Sequence, residues 1–135
     1  MPEPDIEARF VCASAALAER GPAHLWPVRQ YGQPVRAFAL RFDGRVVAYL
    51  NRCAHVPTEM DWQPGEFLDA DRRWILCSIH GAAYAPESGR CVGGPCGRGR
   101  LTPLDVRDID GRVLWFPSSD IRPAPQDAAT AGPVA

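Results

Sequence analysis

The chain has 135 residues, a formal net charge of −1 and 46% hydrophobic residues. This length suits one domain with its own core, and the near-neutral charge provides no basic field for nucleic acid or an anionic membrane. All fifteen basic residues are arginine, which excludes chemistry that needs a lysine nucleophile. We find no apolar signal region at the N-terminus and no apolar run of the roughly 18 residues that a membrane helix needs, and we therefore predict a cytoplasmic protein.

Proline and glycine recur between short runs of β-branched and aromatic residues, a pattern typical of an all-β domain. Two Asp-Gly pairs, at 43–44 and 110–111, lie between apolar runs and predict hairpins. A short helix is predicted at Ser14–Arg20, where Gly21-Pro22 ends it. The predicted strands are Arg9–Ala13, His24–Gln30, Val35–Phe42, Arg45–Asn51, Trp74–Cys77, Ala83–Pro86, Pro103–Arg107 and Val113–Phe116.

The composition divides the chain into three parts. Residues 1–8 form an acidic N-terminus that we predict to be flexible, and residues 9–117 form the folded domain. From Ser118 to Ala135 the chain is rich in proline and alanine and poor in large apolar residues. Such a segment buries too little surface to offset the entropy of ordering, and we predict a flexible tail.

Two cysteine–histidine pairs lie in the middle of the domain. Cys53 and His55 form a Cys-X-His pair, and Cys77 and His80 form a Cys-X2-His pair. His55 and His80 are two of only three histidines in the chain. Each short spacing allows one tight loop to direct both side chains to a metal. A chance arrangement and a structural zinc site are the alternatives, although zinc sites usually pair two cysteines and then two histidines.

The residues after the second pair extend the motif. His80-Gly81 continues into AAY and then into SGRCVGGPCGRGRLTPLDV, and the whole region resembles the Rieske iron–sulfur family. The resemblance implies an antiparallel β-sandwich or barrel base, with a cluster-binding subdomain of two loops at about residues 52–97. It also implies that a third loop, containing Gly94 and Pro95, covers the cluster.

The resemblance implies a Rieske-type [2Fe-2S] cluster as the cofactor. Cys53 and Cys77 are then the ligands of one iron, and His55 and His80 are the ligands of the other. Two ferric ions, two sulfides and two thiolates carry no net charge, so the cluster accepts an electron more readily than one with four thiolates. Rieske centres accordingly have potentials of roughly −150 to +300 mV.

Several positions depart from the high-potential members of the family. Those members have an additional cysteine in each cluster loop, and a disulfide joins the two. Here only Ser78 and Ile79 lie between Cys77 and His80, so this disulfide is excluded. Their serine hydroxyl beside the cluster is replaced by Ala82, which follows Gly81, whereas their tyrosine is present as Tyr84. We therefore expect a potential in the low to middle part of the Rieske range.

Only His24 remains for any further iron site, and we interpret it as an ordinary strand residue. A Rieske oxygenase needs a mononuclear iron with two histidines and a carboxylate, so the chain is not an oxygenase. It is similar to soluble Rieske ferredoxins, which implies one-electron transfer between a reductase and a terminal oxidoreductase. The alternative is a small electron-transfer subunit of a nitrite reductase or ring-hydroxylating oxygenase complex. We expect redox proteins as partners and no small-molecule substrate, nucleic acid, membrane or catalytic activity.

Other residues allow two interpretations each. We favour packing for Trp62 and Phe67, with a partner-docking lip as the alternative. Cys91 and Cys96 are interpreted as buried thiols rather than a redox-active pair, and Cys12 is predicted to lie in the core.

Three arginines near the third loop also allow two interpretations. Arg90, Arg98 and Arg100 are interpreted as solvated surface charge, with contact to an acidic partner as the alternative.

Overall fold

The computed structural model describes residues 8–54, 58–78 and 81–124. Within these residues the regular structure is almost entirely β, which confirms the all-β prediction, and no helix is long and apolar enough to span a membrane. The strands are β1 (Arg9–Ala13), β2 (His24–Gln30), β3 (Gln33–Phe42), β4 (Arg45–Leu50), β5 (Ile75–Leu76), β6 (Ala83–Tyr84), β7 (Cys91–Gly93), β8 (Asp105–Ile109), β9 (Arg112–Phe116) and β10 (Ile121–Pro123).

Both predicted hairpins form. Asp43-Gly44 joins β3 to β4 and Asp110-Gly111 joins β8 to β9, with positive φ at both residues of each turn. Two consecutive residues of positive φ match the right-handed twist of the paired strands, which explains why Asp-Gly occupies these turns.

Two antiparallel sheets build the base of the domain. One has the strand order β1-β9-β8 and the other has the order β10-β2-β3-β4. The chain leading into β8 joins them, because Leu50 N–H donates to the Thr102 carbonyl at 3.0 Å and Leu104 N–H donates to the Ala48 carbonyl at 3.0 Å. The base is therefore partly closed along the β4 edge.

The third sheet, β5-β6-β7, carries the predicted second cluster loop. It shares one buried core with β3, in which Phe38 stacks on Phe67 with ring centroids 3.7 Å apart. Strand side chains alternate between faces, so Phe38 and Leu40 enter this core while Ala37 and Ala39 enter the core between the two base sheets. β3 thus separates the core beneath the loops from the core of the base.

The predicted helix at Ser14–Arg20 is wrong beyond its first turn. Only Ser14–Ala16 forms a 3₁₀ turn, and Leu17 already has extended backbone angles. The Arg41 side chain explains the early end, because it donates to the Leu17 carbonyl at 2.8 Å and to the Ser14 carbonyl at 3.0 Å. These bonds satisfy carbonyls that a continuing helix would have used.

The predicted start of the flexible tail at Ser118 is also wrong. Ile121–Pro123 forms strand β10 on the edge of β2, and the Ile121 side chain is buried in the base core. Pro123 is tolerated because an edge strand does not need every N–H for pairing. The remainder of the predicted tail and most of the predicted flexible N-terminus lie outside the described residues.

Candidate metal centre

The first predicted cluster loop leaves the end of β4. The buried Asn51 holds both of its ends, because Asn51 N–H donates to the Arg36 carbonyl at 2.7 Å and Asn51 Oδ1 accepts from Met60 N–H at 2.8 Å. Cys53 N–H donates to the Thr58 carbonyl at 2.9 Å, which closes the loop. The Cys53 side chain is buried beneath it, with 3% of its surface exposed.

The second predicted loop is a tight connection between β5 and β6. Cys77 N–H donates to the Ala82 carbonyl at 2.8 Å, and Gly81 N–H donates to the Cys77 carbonyl at 2.9 Å. Ser78 N–H donates to the Met60 carbonyl at 3.1 Å, which ties this loop to the end of the first. Cys77 is completely buried.

The Tyr84 side chain connects β6, the strand after the second loop, to the first loop. Its phenol oxygen lies 3.3 Å from Cys53 Sγ and accepts a hydrogen bond from Ala54 N–H at 3.1 Å. Burial raises the pKa of Tyr84 above its ordinary value, and the bond to Cys53 and the negative charge of the Cys53 and Cys77 thiolates raise this pKa further. The phenol is therefore neutral beside Cys53 and has a proton to donate.

The predicted third loop lies directly on the second. Gly94 has a φ of +83°, and a Cβ atom at this position would lie 2.6 Å from the Gly81 carbonyl oxygen and 2.8 Å from Ala82 Cα. A side chain is therefore excluded at Gly94 both by the backbone conformation and by the contact. Pro95 follows on the exposed side of the loop, and Ala82 is fully buried beneath it.

A disulfide closes the third loop and corrects the interpretation of two separate thiols. Cys91 and Cys96 are bonded with their Cα atoms 5.8 Å apart, a separation that permits a disulfide. Cys91 lies opposite Tyr84 in the β6–β7 pairing, so the disulfide is one strand away from the tyrosine that contacts Cys53. The bend at Gly94 and the turn at 95–98 reverse the chain after β7 and bring the two cysteines together.

Two of the four predicted ligands, His55 and His80, lie outside the described residues, so the complete ligand set stays a prediction. In 8–54, 58–78 and 81–124, no group of three or more histidine, cysteine or acidic side chains is placed to hold a metal ion. The donors that are described do fit the predicted cluster. Cys53 and Cys77 are buried in one core, and thiolates are the usual ligands of iron–sulfur clusters.

The other predicted residues lie in different surroundings. Phe67 is buried against Phe38, as the packing interpretation required, whereas Trp62 has 47% of its surface exposed. Cys12 lies in the base core, as predicted. His24 is a half-buried residue of β2, and burial lowers its pKa.

Sequence reasoning missed the anchor of the first loop. Asn51 is the one buried polar or charged residue of the described chain, and its amide also donates to Asp61 Oδ1 at 3.0 Å. The signal was present as an asparagine directly after an apolar strand and two residues before the first cysteine. A buried amide at such a position needs partners, and the two ends of a loop provide them.

Comparisons with known proteins agree with the motif. The family model of the Rieske [2Fe-2S] domain matches residues 8–117, which confirms the predicted family resemblance and cofactor type. No curated protein sequence matches the chain.

Solved structures with the same fold include both carriers and oxygenases. The ferredoxin of carbazole 1,9a-dioxygenase from Nocardioides aromaticivorans IC177 has a TM-score of 0.64 and 20% identity, over 82% of this chain and 98% of that one. The terminal oxygenase of carbazole 1,9a-dioxygenase from Novosphingobium sp. KA1 has a TM-score of 0.62 and 27% identity, over 82% of this chain and 30% of that one. A complex of reduced oxygenase and oxidized ferredoxin in carbazole 1,9a-dioxygenase contains a chain with a TM-score of 0.61 and 20% identity, over 83% of this chain and 94% of that one.

Proposed function

Because this chain belongs to the Rieske [2Fe-2S] domain family, we propose that it is a Rieske-type ferredoxin, a non-catalytic carrier of single electrons. It accepts an electron from a reductase and delivers it to a terminal oxidoreductase, and it works in the cytoplasm. The likeness to a dioxygenase ferredoxin over nearly the whole of that protein supports this proposal, as does the oxygenase–ferredoxin complex.

We propose Cys53 and Cys77 as the ligands of one iron and His55 and His80 as the ligands of the other. The observation that carries this assignment is that Cys53 and Cys77 are buried in one core with Tyr84, whose phenol oxygen lies 3.3 Å from Cys53 Sγ. A bound [2Fe-2S] cluster supplies a site that gains and loses one electron near the protein surface.

The chain's own residues exclude water and stabilise negative charge at this site. A thiolate ligand carries no proton, so the contact between Tyr84 and Cys53 requires the phenol to donate. Gly94 and Pro95 cover the second loop, while small exposed residues, Ala54 and Gly81, flank the two cysteine loops. Small residues let a partner approach closely, which matters because electron transfer slows steeply with distance.

The test is metal and sulfide analysis of the purified protein. We expect two irons and two acid-labile sulfides per chain, and a reduced-state paramagnetic spectrum with an average g-value below that of an all-cysteine cluster. Cys77→Ala and His55→Ala are expected to lose the iron and sulfide. Cys12→Ala is the matched control, because it removes a buried thiol from the base core and leaves the cluster loops intact. One zinc per chain without sulfide would refute the proposal.

A second candidate is an electron-transfer subunit of a larger oxidoreductase, which the 27% identity to a terminal oxygenase favours. The two candidates differ in how the protein meets its partner. A ferredoxin exchanges electrons by collision, so the observed rate rises in proportion to partner concentration. A fixed subunit purifies with its partner in constant proportion when both are expressed together.

A further inference from the structure

The charged side chains of residues 88–104, which include the third loop, are all arginine, while Glu87 and Asp105 lie just outside this stretch. Between Ser88 and Leu104 the chain has three arginines and no aspartate or glutamate, although the whole chain has a net charge of −1. Arg90, Arg98 and Arg100 are all exposed. The third-loop side of the domain therefore presents a local positive charge that the overall composition hides.

These three arginines have no acidic partner among the described residues. Other arginines of the described residues do form ion pairs, namely Arg20, Arg36, Arg41, Arg72 and Arg107. Arg100 donates instead to the Ser88 carbonyl at 3.2 Å. Moreover, Arg90 and Arg100 are direct partners in an antiparallel bridge, where like charges destabilise the pairing. Their guanidinium groups are available to carboxylates of another molecule.

The arginines lie beside the predicted cluster loops. Arg98 and Arg100 flank Gly99, where a Cβ atom would lie 3.0 Å from Ala54 Cβ, next to Cys53. Between Arg90 and Arg98 the third loop exposes Val92, with 49% of its surface accessible, and Pro95. A small apolar centre with arginines around it is the usual anatomy of a protein–protein interface.

We propose that Arg90, Val92, Arg98 and Arg100 form a docking surface for a redox partner that surrounds its own electron-transfer site with carboxylates. This inference rests on the proposed ferredoxin function and names the chemistry of its partner. Charge complementarity favours such a partner, because an acidic face pairs with guanidinium groups and is thereby held over Ala54 and Gly81. Opposite charges also steer the encounter and raise its rate.

The first test measures the oxidation of the reduced protein by ferricyanide, a small anionic oxidant, at several salt concentrations. The net charge of −1 predicts a rate constant that rises with salt, whereas the docking surface predicts attraction and a fall. We expect about a tenfold fall between low and high salt, at the lower end of electrostatic steering effects.

The test variant is Arg90→Gln with Arg100→Gln, which removes both members of the bridged pair. It is expected to lose most of the salt dependence. The control is Arg45→Gln with Arg112→Gln, which makes the same charge change at exposed positions. Arg45 begins β4 while the first loop follows its end, so it lies about 17 Å from that loop at the usual rise per strand residue. A wild-type rate that rises with salt, or an equal loss in the control, would overturn the docking surface.

The second test uses polyglutamate as the acidic probe and calorimetry as the readout, which does not depend on electron transfer. Binding is expected to weaken about tenfold in the Arg90/Arg100 variant and to stay unchanged in the Arg45/Arg112 control. Protein that lacks iron and sulfide but binds polyglutamate through these arginines would refute the ferredoxin, and with it the redox partner, and would leave only a surface that binds acidic groups. If wild-type protein contains the cluster but binds polyglutamate no more tightly than the Arg90/Arg100 variant, the docking surface is refuted and the ferredoxin function is not.

Discussion

Replacing Tyr84 with phenylalanine should lower the reduction potential of the cluster. The phenol is completely buried, lies 3.3 Å from Cys53 Sγ and already accepts a bond from Ala54 N–H. Reduction adds one negative charge beside this donor, so the hydrogen bond strengthens in the reduced state. Phenylalanine keeps the ring in the core and removes only the donor.

The size of the shift follows from the strength of one hydrogen bond. A hydrogen bond to a charged group contributes about 1.5–3 kcal/mol and an ordinary one about 0.5–1.5 kcal/mol, so one added negative charge is expected to strengthen the bond by about 1 kcal/mol. For a one-electron couple, about 59 mV corresponds to about 1.4 kcal/mol, so a difference of about 1 kcal/mol lowers the potential by roughly 40 mV. The unfolding free energy should also fall by about 1 kcal/mol, the usual net contribution of a hydrogen bond.

Tyr49→Phe is the matched control for this measurement. Tyr49 is buried in the same core and donates to the Pro86 carbonyl at 2.6 Å, away from the thiols. Burial, assisted by the Glu87 carboxylate, raises the pKa of Tyr49 to about 12, so it stays neutral at ordinary pH. Voltammetry of protein films should show a lowered potential for Tyr84→Phe and an unchanged one for Tyr49→Phe. Equal shifts in the two variants would refute the role of the Tyr84 hydrogen bond.

Four further variants probe the loops around Tyr84. Ala82→Ser should raise the potential by tens of millivolts, on the order of one new hydrogen bond, in the same voltammetry; a lowered potential would contradict this. Gly94→Ala should cost roughly 2–4 kcal/mol in denaturant unfolding, because of its positive φ and its contact with the second loop. Gly97→Ala, also at positive φ but in open space, should cost only about 1 kcal/mol, and equal losses would argue against the contact. Cys91→Ser with Cys96→Ser should cost about 2 kcal/mol and retain both irons; loss of iron would make these cysteines necessary for cluster binding.

Local signals in the sequence predicted most of the base. The Asp-Gly turns specify two hairpins, and the strands flanking them agree with the structure within about two residues. β3 was predictable because residues 37–40 alternate between two cores, which makes the centre of the strand continuously apolar. Cys53 and Cys77 were predicted as ligands from an equally local signal, the short spacing to a histidine within each loop, and this assignment stays a prediction.

Nonlocal contacts account for the errors. β10 forms because Ile121 finds space in the base core and because β2 has a free edge, and neither fact is visible near residue 121. The available signal in the sequence was Ile121, the one large apolar residue in a stretch of small ones. The disulfide between Cys91 and Cys96 depends on the backbone reversal at residues 94–98, and a glycine-rich segment has no periodicity that predicts such a reversal.

The link between Tyr84 and the first loop bears on how the protein assembles. Cys53 and Tyr84 are 31 residues apart, and Ala54 meets Gly99 from still farther along the chain. Contacts between distant segments form late in folding, because the chain must first lose the entropy of closing the loop between them. The site therefore exists only in the folded chain, and ligand binding there favours folding of the whole domain. Loss of the cluster should consequently lower the cooperative unfolding temperature rather than loosen one loop.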